Sequence, residues 1–439
     1  MYVCKDATIY DIRTISTDDL MIVDVPGTGQ SLSSEWHQLW DREKEVDGMD
    51  VIKRSTLSQR VQQVKPSGIR KFFDIINTMP NVISLGVGEP DFVTPEHIRQ
   101  AGIASIQAGR TQYTSNYGTL ALREEIARML QRRTGLTYDP ARQLLVTVGV
   151  SEGVDLVMRT LIDPGDEVIS SDPGYVAYEA DIIFSGGVAV PVTTYAEYNF
   201  AVRAADIEAA ITPRTKLILL GTPNNPTGAV IPREELEGIA RIAIKYDLIV
   251  AVDEVYSRLV YDIEHFSIAS FPGMQERTIL LDGFSKAYAM TGWRVGYVAA
   301  PSYLLEAMCK IHQYTIMCAG TAAQEAALEA LRHGEDDVLH MQADYARRGK
   351  MLVAGLNRIG LPTCKPHGAF YAFPYVSGVG GMSDEEFAER LLVEEEVAVV
   401  PGSSFGDAGK GYVRVAYCTA YEKLEEALVR IDRFVKKYS

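Results

Sequence analysis

One lysine, Lys286, stands in a largely apolar and glycine-containing stretch, FSKAYAMTGWRVGY, at residues 284–297. The next cation in this stretch is Arg294, eight positions later. A lysine on a surface helix normally has polar neighbours, so two interpretations are open. Either the aliphatic stem of the side chain covers a buried apolar patch, or the amine is desolvated, partly neutral and therefore nucleophilic.

Other polar residues also stand where apolar stretches end. Asp253 and Tyr256 close the stretch LIVAVDEVY, Asn225 lies in the turn sequence TPNNPTG, and Ser151 lies in GVSEG, which opens a helix. Each has an ordinary structural interpretation, such as a helix N-cap for Asp253 or a tight turn around Asn225. The amides at the helix start and the Ser151 hydroxyl could instead form an anion site.

The elements that position these residues are short apolar strands that alternate with helices. We predict strands within residues 142–150, 163–172, 215–223, 248–256, 276–285 and 294–301, and helices that include 151–162 and 233–247. Such strands predict a mostly parallel sheet covered on both faces, and these sheets bind ligands at the carboxyl ends of their strands. After about residue 324 the pattern becomes α+β and predicts a smaller second domain.

The polar groups are therefore expected at one edge of one sheet, where a phosphorylated aromatic aldehyde could use all of them. Its aldehyde would condense with Lys286, and its ring nitrogen would pair with Asp253. Its ring oxygen and its phosphate would contact Asn225, Tyr256, Ser151 and Arg294. This combination predicts pyridoxal phosphate as the cofactor.

The stretches SLGVGEPDF, NNPTGAV, DEVY, GFSKAYAMTGWRVGYVAAP and GYVRVAYCTAYEKLEEAL together resemble the class I aminotransferases, which are fold-type I pyridoxal-phosphate enzymes. The similarity runs from about Val64 to the C-terminus and is greatest to the prokaryotic aromatic and aspartate aminotransferases. It implies an α/β fold with a large cofactor-binding domain, residues 94–323, containing a mostly parallel seven-stranded sheet covered by helices. Residues 56–93 and 324–439 would form the smaller α+β domain. Residues 1–55 would form an N-terminal extension, for which the sequence indicates no role.

The resemblance also implies roles for individual cofactor-binding residues. Lys286 would bond to the cofactor and later move the proton, and Asp253 would keep the ring nitrogen protonated. The remaining implied contacts to the cofactor are Asn225, Tyr256, Val150, Ser151, Tyr175, Arg294, Ser285 and Tyr113. One position departs from the pattern, since Gly283 stands where many relatives have a phosphate-binding serine. Ser285 is the candidate replacement.

Substrate-binding groups are implied in the same way. Arg414, in YVRVAY, would clamp the α-carboxylate of the substrate through two hydrogen bonds, with Gly88 and Asn225 beside it. Tyr113 would reach the phosphate of a neighbouring subunit, which implies a homodimer with its active site at the subunit interface.

The implied activity is transfer of an amino group between an amino acid and a 2-oxo acid by a ping-pong mechanism. Glutamate and 2-oxoglutarate are the expected first pair, and the second pair would be aromatic or aspartate-like. The same fold also serves carbon–sulfur β-lyases, and a pyridoxal-phosphate-bound regulatory protein is a third interpretation. TGWR, around Arg294, favours an aminotransferase. Loops near residues 85–95 and 312–320 are expected to set the side-chain specificity.

Composition excludes several other classes of protein. The 439 residues carry a formal net charge of −15, which argues against nucleic acid or an anionic membrane as the main partner. Five scattered cysteines and the lack of a secretory signal or membrane-spanning run predict a cytoplasmic protein. The seven histidines lack metal-ligand spacing, so no metal is predicted, and we expect His312 to be a packing or surface residue.

Overall fold

The computed structural model describes residues 2–5, 8–11, 56–64 and 81–439. The chain divides into two compact units, Met1–Ser58 and Gln59–Ser439. In the first unit, strands β1 (Tyr2–Lys5) and β2 (Thr8–Asp11) pair in antiparallel fashion. Most of the predicted N-terminal extension lies outside the described residues. All of the predicted site residues belong to the second unit.

Helices make up much of the second unit. In chain order they are α1 (Gln59–Gln63), α2 (Glu96–Gln107), α3 (Leu120–Thr134), α4 (Gly149–Leu161), α5 (Val176–Ser185), α6 (Ala204–Ala209), α7 (Arg233–Lys245), α8 (Ser302–Thr315), α9 (Thr321–His333), α10 (Glu335–Ile359), α11 (Asp384–Glu395) and α12 (Tyr421–Tyr438). Charge supports helix α7 at both ends, with Glu234 and Glu235 in its first turn and Lys245 in its last. Within the described ranges, none of these helices combines the length and apolar character needed to cross a membrane.

A seven-stranded sheet forms the centre of the second unit. Its strands are β4 (Leu144–Thr147), β5 (Glu167–Asp172), β6 (Val188–Thr193), β7 (Thr215–Gly221), β8 (Ile249–Asp253), β9 (Thr278–Gly283) and β10 (Gly296–Ala299). Their order across the sheet is β4-β10-β9-β8-β7-β5-β6. Strand β10 runs antiparallel to both of its neighbours, and the other pairs are parallel. The predicted mostly parallel seven-stranded sheet is confirmed.

Both faces of this sheet are buried, as the apolar strands predict. In β7, Leu217 and Leu219 belong to one hydrophobic cluster, whereas Ile218 and Leu220 belong to another on the opposite face. This alternation follows from the two-residue period of a strand. Helices α4, α5 and α8 contribute to the first cluster, and α2, α3, α7 and α9 contribute to the second. A strand covered on both faces must be apolar at every position, which is the pattern in the sequence.

The remaining strands belong to a smaller α+β part with a hydrophobic core of its own. These strands are β3 (Ile83–Ser84), β11 (Tyr371–Ala372), β12 (Val397–Ala398), β13 (Val400–Pro401) and β14 (Val413–Ala416). Strands β11, β14 and β13 form an antiparallel sheet, and β12 pairs in parallel with β3. Helices α10, α11 and α12 pack into the same core. The domain boundaries given above, near residues 94 and 324, stay predictions.

Candidate active site

A cavity of about 670 Å³ lies at the carboxyl ends of the central strands, where the topology predicts a ligand site. It is lined by all but one of the predicted site residues, namely Lys286, Asp253, Tyr256, Asn225, Val150, Ser151, Tyr175, Arg294, Ser285, Arg414 and Gly88. The exception is Tyr113, which is 79% exposed and is not among the residues that line the cavity. The single chain thus brings together every predicted group except the one expected to act on a neighbouring subunit.

Lys286 lies three residues after the end of strand β9 and lines this cavity. Its Nζ donates a hydrogen bond to the Gly88 carbonyl oxygen at 2.7 Å. The same Nζ lies 5.8 Å from the ring centroids of both Tyr256 and Phe370. Burial lowers the pKa of Lys286 from its ordinary 10.5 to about 8, because a desolvated ammonium is disfavoured. The amine of Lys286 is therefore more easily neutral than that of an exposed lysine, which favours the second of the two interpretations given above.

Asp253 ends strand β8 as a buried carboxylate. It accepts hydrogen bonds from the Tyr178 hydroxyl at 2.9 Å and from the Val255 amide at 3.1 Å. Burial raises the pKa of Asp253 to about 6. The residues after Asp253 form a turn and not a helix, so the alternative role as a helix N-cap does not apply. A buried carboxylate with a raised pKa becomes a stable anion once a cationic N–H group pairs with it.

Arg414, on strand β14, supplies a buried positive charge. Its Nη2 donates to the Gly86 carbonyl oxygen at 2.6 Å and its Nη1 donates to Asn225 Oδ1 at 2.9 Å. Its guanidinium carbon lies 4.6 Å from the Tyr371 ring centroid and 4.8 Å from that of Phe405. Its Nε has no hydrogen-bond partner within the described part of the chain. A cation held this firmly, and only partly satisfied, is suited to binding a carboxylate.

The opposite end of the cavity has the properties of an anion site. Helix α4 begins at Gly149, whose φ is +73°, and a Cβ at this position would overlap the Arg294 guanidinium. Arg294 therefore lies directly against the first turn of the helix, where unpaired amides and the helix dipole already favour negative charge. The hydroxyls of Ser151 and Ser285 also line this cavity.

The unusual Gly283 has a steric explanation. A Cβ at this position would lie 3.1 Å from both the Gly296 Cα and the Val150 Cγ2, and 3.3 Å from the Val295 carbonyl oxygen. The close pairing of β9 with β10 leaves little room for a side chain here. Of the two positions considered for a phosphate-binding serine, only the one at residue 285 carries a hydroxyl.

None of the histidines within residues 81–439 lines the cavity. His312 is fully buried, with its Nδ1 2.6 Å from Glu152 Oε1, so it is a packing residue and not a surface group. Across residues 56–64 and 81–439, no group of three or more histidine, cysteine, aspartate or glutamate side chains is arranged to hold a metal ion.

Two tyrosines that the sequence analysis did not single out also line the cavity. Tyr178 donates to Asp253, and the Tyr371 hydroxyl lies 2.7 Å from the hydroxyl of Tyr256. The spacing of three residues between Tyr175, which directly precedes helix α5, and Tyr178 in its first turn could have indicated a shared face. For Tyr371 the sequence carries no comparable signal, because its partner is 115 positions away.

Comparison with known proteins agrees with this site and fold. Residues 80–431 match the family model described as aminotransferase class I and II. The Bacillus subtilis protein YugH is 55% identical over 383 residues, covering 87% of this chain and 99% of the relative. Aromatic-amino-acid aminotransferase 2 of Thermococcus litoralis is 44% identical over 384 residues, covering 87% and 98%. The Thermus thermophilus aspartate aminotransferase structure with maleate superimposes with a TM-score of 0.83 at 39% identity, covering 87% and 100%.

The chain therefore belongs to the class I and II aminotransferases. It is an enzyme that transfers nitrogenous groups, and its α/β fold is the fold-type I architecture of its structural neighbours. The prediction of an aminotransferase related to the aromatic and aspartate enzymes is confirmed.

Proposed function

We propose that this aminotransferase uses pyridoxal 5′-phosphate, held covalently by Lys286, to exchange an amino group between an amino acid and a 2-oxo acid. The observation that carries this proposal is that one cavity is lined by both a part-buried lysine, Lys286, and a buried aspartate, Asp253, whose pKa values are lowered and raised respectively.

Three features of the cavity fit this cofactor. The amine of Lys286, with a pKa of about 8, is partly neutral near physiological pH and can attack an aldehyde. The buried carboxylate of Asp253 is suited to a protonated ring nitrogen, which would supply the missing positive partner. Gly149 at the start of α4, with Arg294 packed against it, is suited to a phosphate dianion.

The residues of this chain would then divide the chemistry among them. When bound, the cofactor supplies an electron sink for charge that develops at the substrate Cα. Lys286, released when the substrate amine takes its place, would be free to take the proton from that carbon as general base and to deliver it on the cofactor side. Asn225 and Tyr256 would hold the ring oxygen, and Tyr175 would stack on the ring. Val150, Ser151, Ser285 and Arg294 would hold the phosphate.

Substrate binding is proposed to depend on Arg414 together with Gly88 and Asn225. Arg414 is 3% exposed, and its Nε–H group has no partner among the described residues, which favours an α-carboxylate as its ligand. We propose glutamate and 2-oxoglutarate as one substrate pair and an aromatic or aspartate-like pair as the other, exchanged by a ping-pong mechanism. The names of the Thermococcus litoralis and Thermus thermophilus relatives support both kinds of second pair.

We also propose that the enzyme is a homodimer. Tyr113 and Tyr314 are 79% and 87% exposed, and Ile316 and Met317 are also exposed. A hydrogen bond of 2.8 Å from the Asn116 side chain to the Met317 carbonyl oxygen joins the loop that carries Tyr113 to the end of helix α8 and the residues after it, which carry the other three side chains. A joined apolar surface of this kind favours burial against a second copy. Sedimentation equilibrium should give roughly twice the subunit mass of 48.4 kDa, and a mass of one subunit would contradict the proposal.

A cytoplasmic location is proposed from the four free cysteines of the described residues.

The test of the proposed function combines absorbance with a donor panel. Purified protein given pyridoxal 5′-phosphate should develop a visible absorption band, and the band should bleach when an amino acid is added without a 2-oxo acid. Each amino donor is then supplied with 2-oxoglutarate, and glutamate is measured. Release of pyruvate and ammonia from cystathionine, without glutamate formation, would instead indicate a β-lyase.

Two variants make this test specific. Lys286→Ala should abolish the band and the transfer reaction. Lys423→Ala, which removes an exposed lysine on α12, should leave both unchanged. Undiminished turnover by Lys286→Ala would refute the proposed function.

A further inference from the structure

We propose that Tyr371 is a positioning residue whose hydroxyl donates a hydrogen bond to the Tyr256 hydroxyl and thereby turns the Tyr256 proton into the cavity. There the proton can be donated to an anionic oxygen of the ligand, which is the cofactor ring oxygen if the proposed function holds. The inference rests on that proposed function and adds a residue to the machinery described above.

The geometry leaves two arrangements of the two protons. The hydroxyl oxygens of Tyr256 and Tyr371 lie 2.7 Å apart, and either can be the donor. Neither hydroxyl has a second hydrogen-bond partner within the described part of the chain. If Tyr371 donates, the Tyr256 proton is free to point at a ligand. If Tyr256 donates, its oxygen offers only a lone pair to the cavity, which would repel an anionic oxygen.

Charge near the pair favours Tyr371 as the donor. The Arg414 guanidinium carbon lies 4.6 Å from the centroid of the Tyr371 ring, and a cation beside a phenol makes its proton easier to give away. Burial raises the pKa of both hydroxyls. After burial, Arg414 is the largest influence on the pKa of Tyr371 and lowers it. For Tyr256 the largest influence after burial is Tyr371, which raises the pKa further, and Arg414, which lowers it, comes after. The more acidic of two bonded hydroxyls is the better donor, and its bond polarises the next hydroxyl in the chain.

Packing holds the Tyr371 hydroxyl at this point. Tyr371 is 1% exposed and lies on β11, opposite Ala416 of the strand that carries Arg414. A Cβ at Gly88 would overlap the Tyr371 hydroxyl, so this oxygen lies directly against the backbone whose carbonyl accepts from Lys286. The position of this hydroxyl oxygen is thus fixed before any ligand arrives, which is the condition for a preorganised hydrogen bond.

The test is a double-mutant cycle read by spectroscopy. The visible absorption band of the loaded enzyme is titrated with pH in the wild type, Tyr371→Phe, Tyr256→Phe and the double variant. A hydroxyl that donates to the ring oxygen stabilises the negative charge of that oxygen. Tyr371→Phe leaves the Tyr256 hydroxyl without a fixed orientation, so the titration midpoint should move to higher pH. One weakened hydrogen bond corresponds to a shift of about 0.5–1 pH unit for Tyr371→Phe. Tyr375→Phe, outside the cavity, should not shift it.

The cycle also tests whether Tyr371 acts through Tyr256. The double variant should have the same titration midpoint as Tyr256→Phe, because without the Tyr256 hydroxyl Tyr371 has no proton to orient. An unchanged or lowered midpoint in Tyr371→Phe would overturn the inference, as would shifts that simply add in the double variant. A wild type that develops no visible band would refute the proposed cofactor itself, and with it this inference. Thermal unfolding of each variant verifies that the Phe ring preserves the core.

Discussion

The lowered pKa of Lys286 predicts how fast the protein takes up its cofactor at different pH values. Only the neutral amine attacks an aldehyde. With a pKa of about 8, the neutral fraction rises about tenfold between pH 7 and pH 9 and then levels off. With the ordinary pKa of 10.5, it would rise about a hundredfold over the same interval, without levelling off. Burial therefore increases the neutral fraction of the Lys286 amine, relative to a solvated lysine, most strongly at the lower pH values.

The assay measures the rate at which the visible band appears after apoprotein is mixed with excess pyridoxal 5′-phosphate. The cofactor has ionisable groups of its own, so each rate is divided by the rate for an unstructured lysine peptide at the same pH. This ratio should fall about tenfold from pH 7 to pH 9, since the peptide amine gains about a hundredfold and Lys286 about tenfold. Lys286→Ala provides the blank.

A ratio that stays constant between pH 7 and pH 9 would mean that Lys286 titrates like a solvated lysine. Burial by the apolar stretch at residues 284–297 would then not be the source of its reactivity, and the explanation given for that stretch would be refuted.

Three further predictions concern the groups around this lysine. Tyr178→Phe removes a hydrogen bond to the Asp253 carboxylate, so cofactor binding measured by fluorescence titration should weaken about tenfold, and more at pH 6 than at pH 8. Arg414→Lys cannot preserve both present hydrogen bonds of the guanidinium or its bidentate geometry. In steady-state kinetics, kcat/KM for amino acids should fall about 30-fold or more, and a change within threefold would contradict the assigned role. Gly149→Ala places a Cβ on the Arg294 guanidinium at a φ of +73°, so the Kd for pyridoxal 5′-phosphate should rise about tenfold, whereas unchanged affinity would argue against an anion site here.

The sequence carried enough information to predict that Lys286, Asp253 and Asn225 share one edge. Each follows an apolar strand, and parallel strands end on the same side of a sheet. The reversed direction of β10 could not be predicted in this way, because a buried strand is apolar whichever way it runs. Strand β6, Val188–Thr193, was missed because it lies at the sheet edge, is largely exposed and contains Pro191.

Contacts between side chains that are far apart in the sequence were the least predictable part of the site. The position of Arg414 was implied by its motif, but its bonds to Asn225 and Gly86 depend on how β14 packs beside the main sheet. The contact of Tyr256 with Tyr371 depends on the directions of two buried rings. Neither periodicity nor composition reports such directions, since they arise only when the two cores have formed.

The cavity draws its groups from distant parts of the chain. Arg414 bonds to Gly86 across 328 positions, and the seven-stranded sheet has its last strand in chain order ending at Ala299. During synthesis, Lys286 and Asp253 leave the ribosome well before Arg414. A growing polypeptide can therefore complete the sheet and the coenzyme end while it still has no guanidinium to receive a carboxylate. In the order of translation, the residue proposed to receive the carboxylate is therefore among the last parts of the cavity to be made.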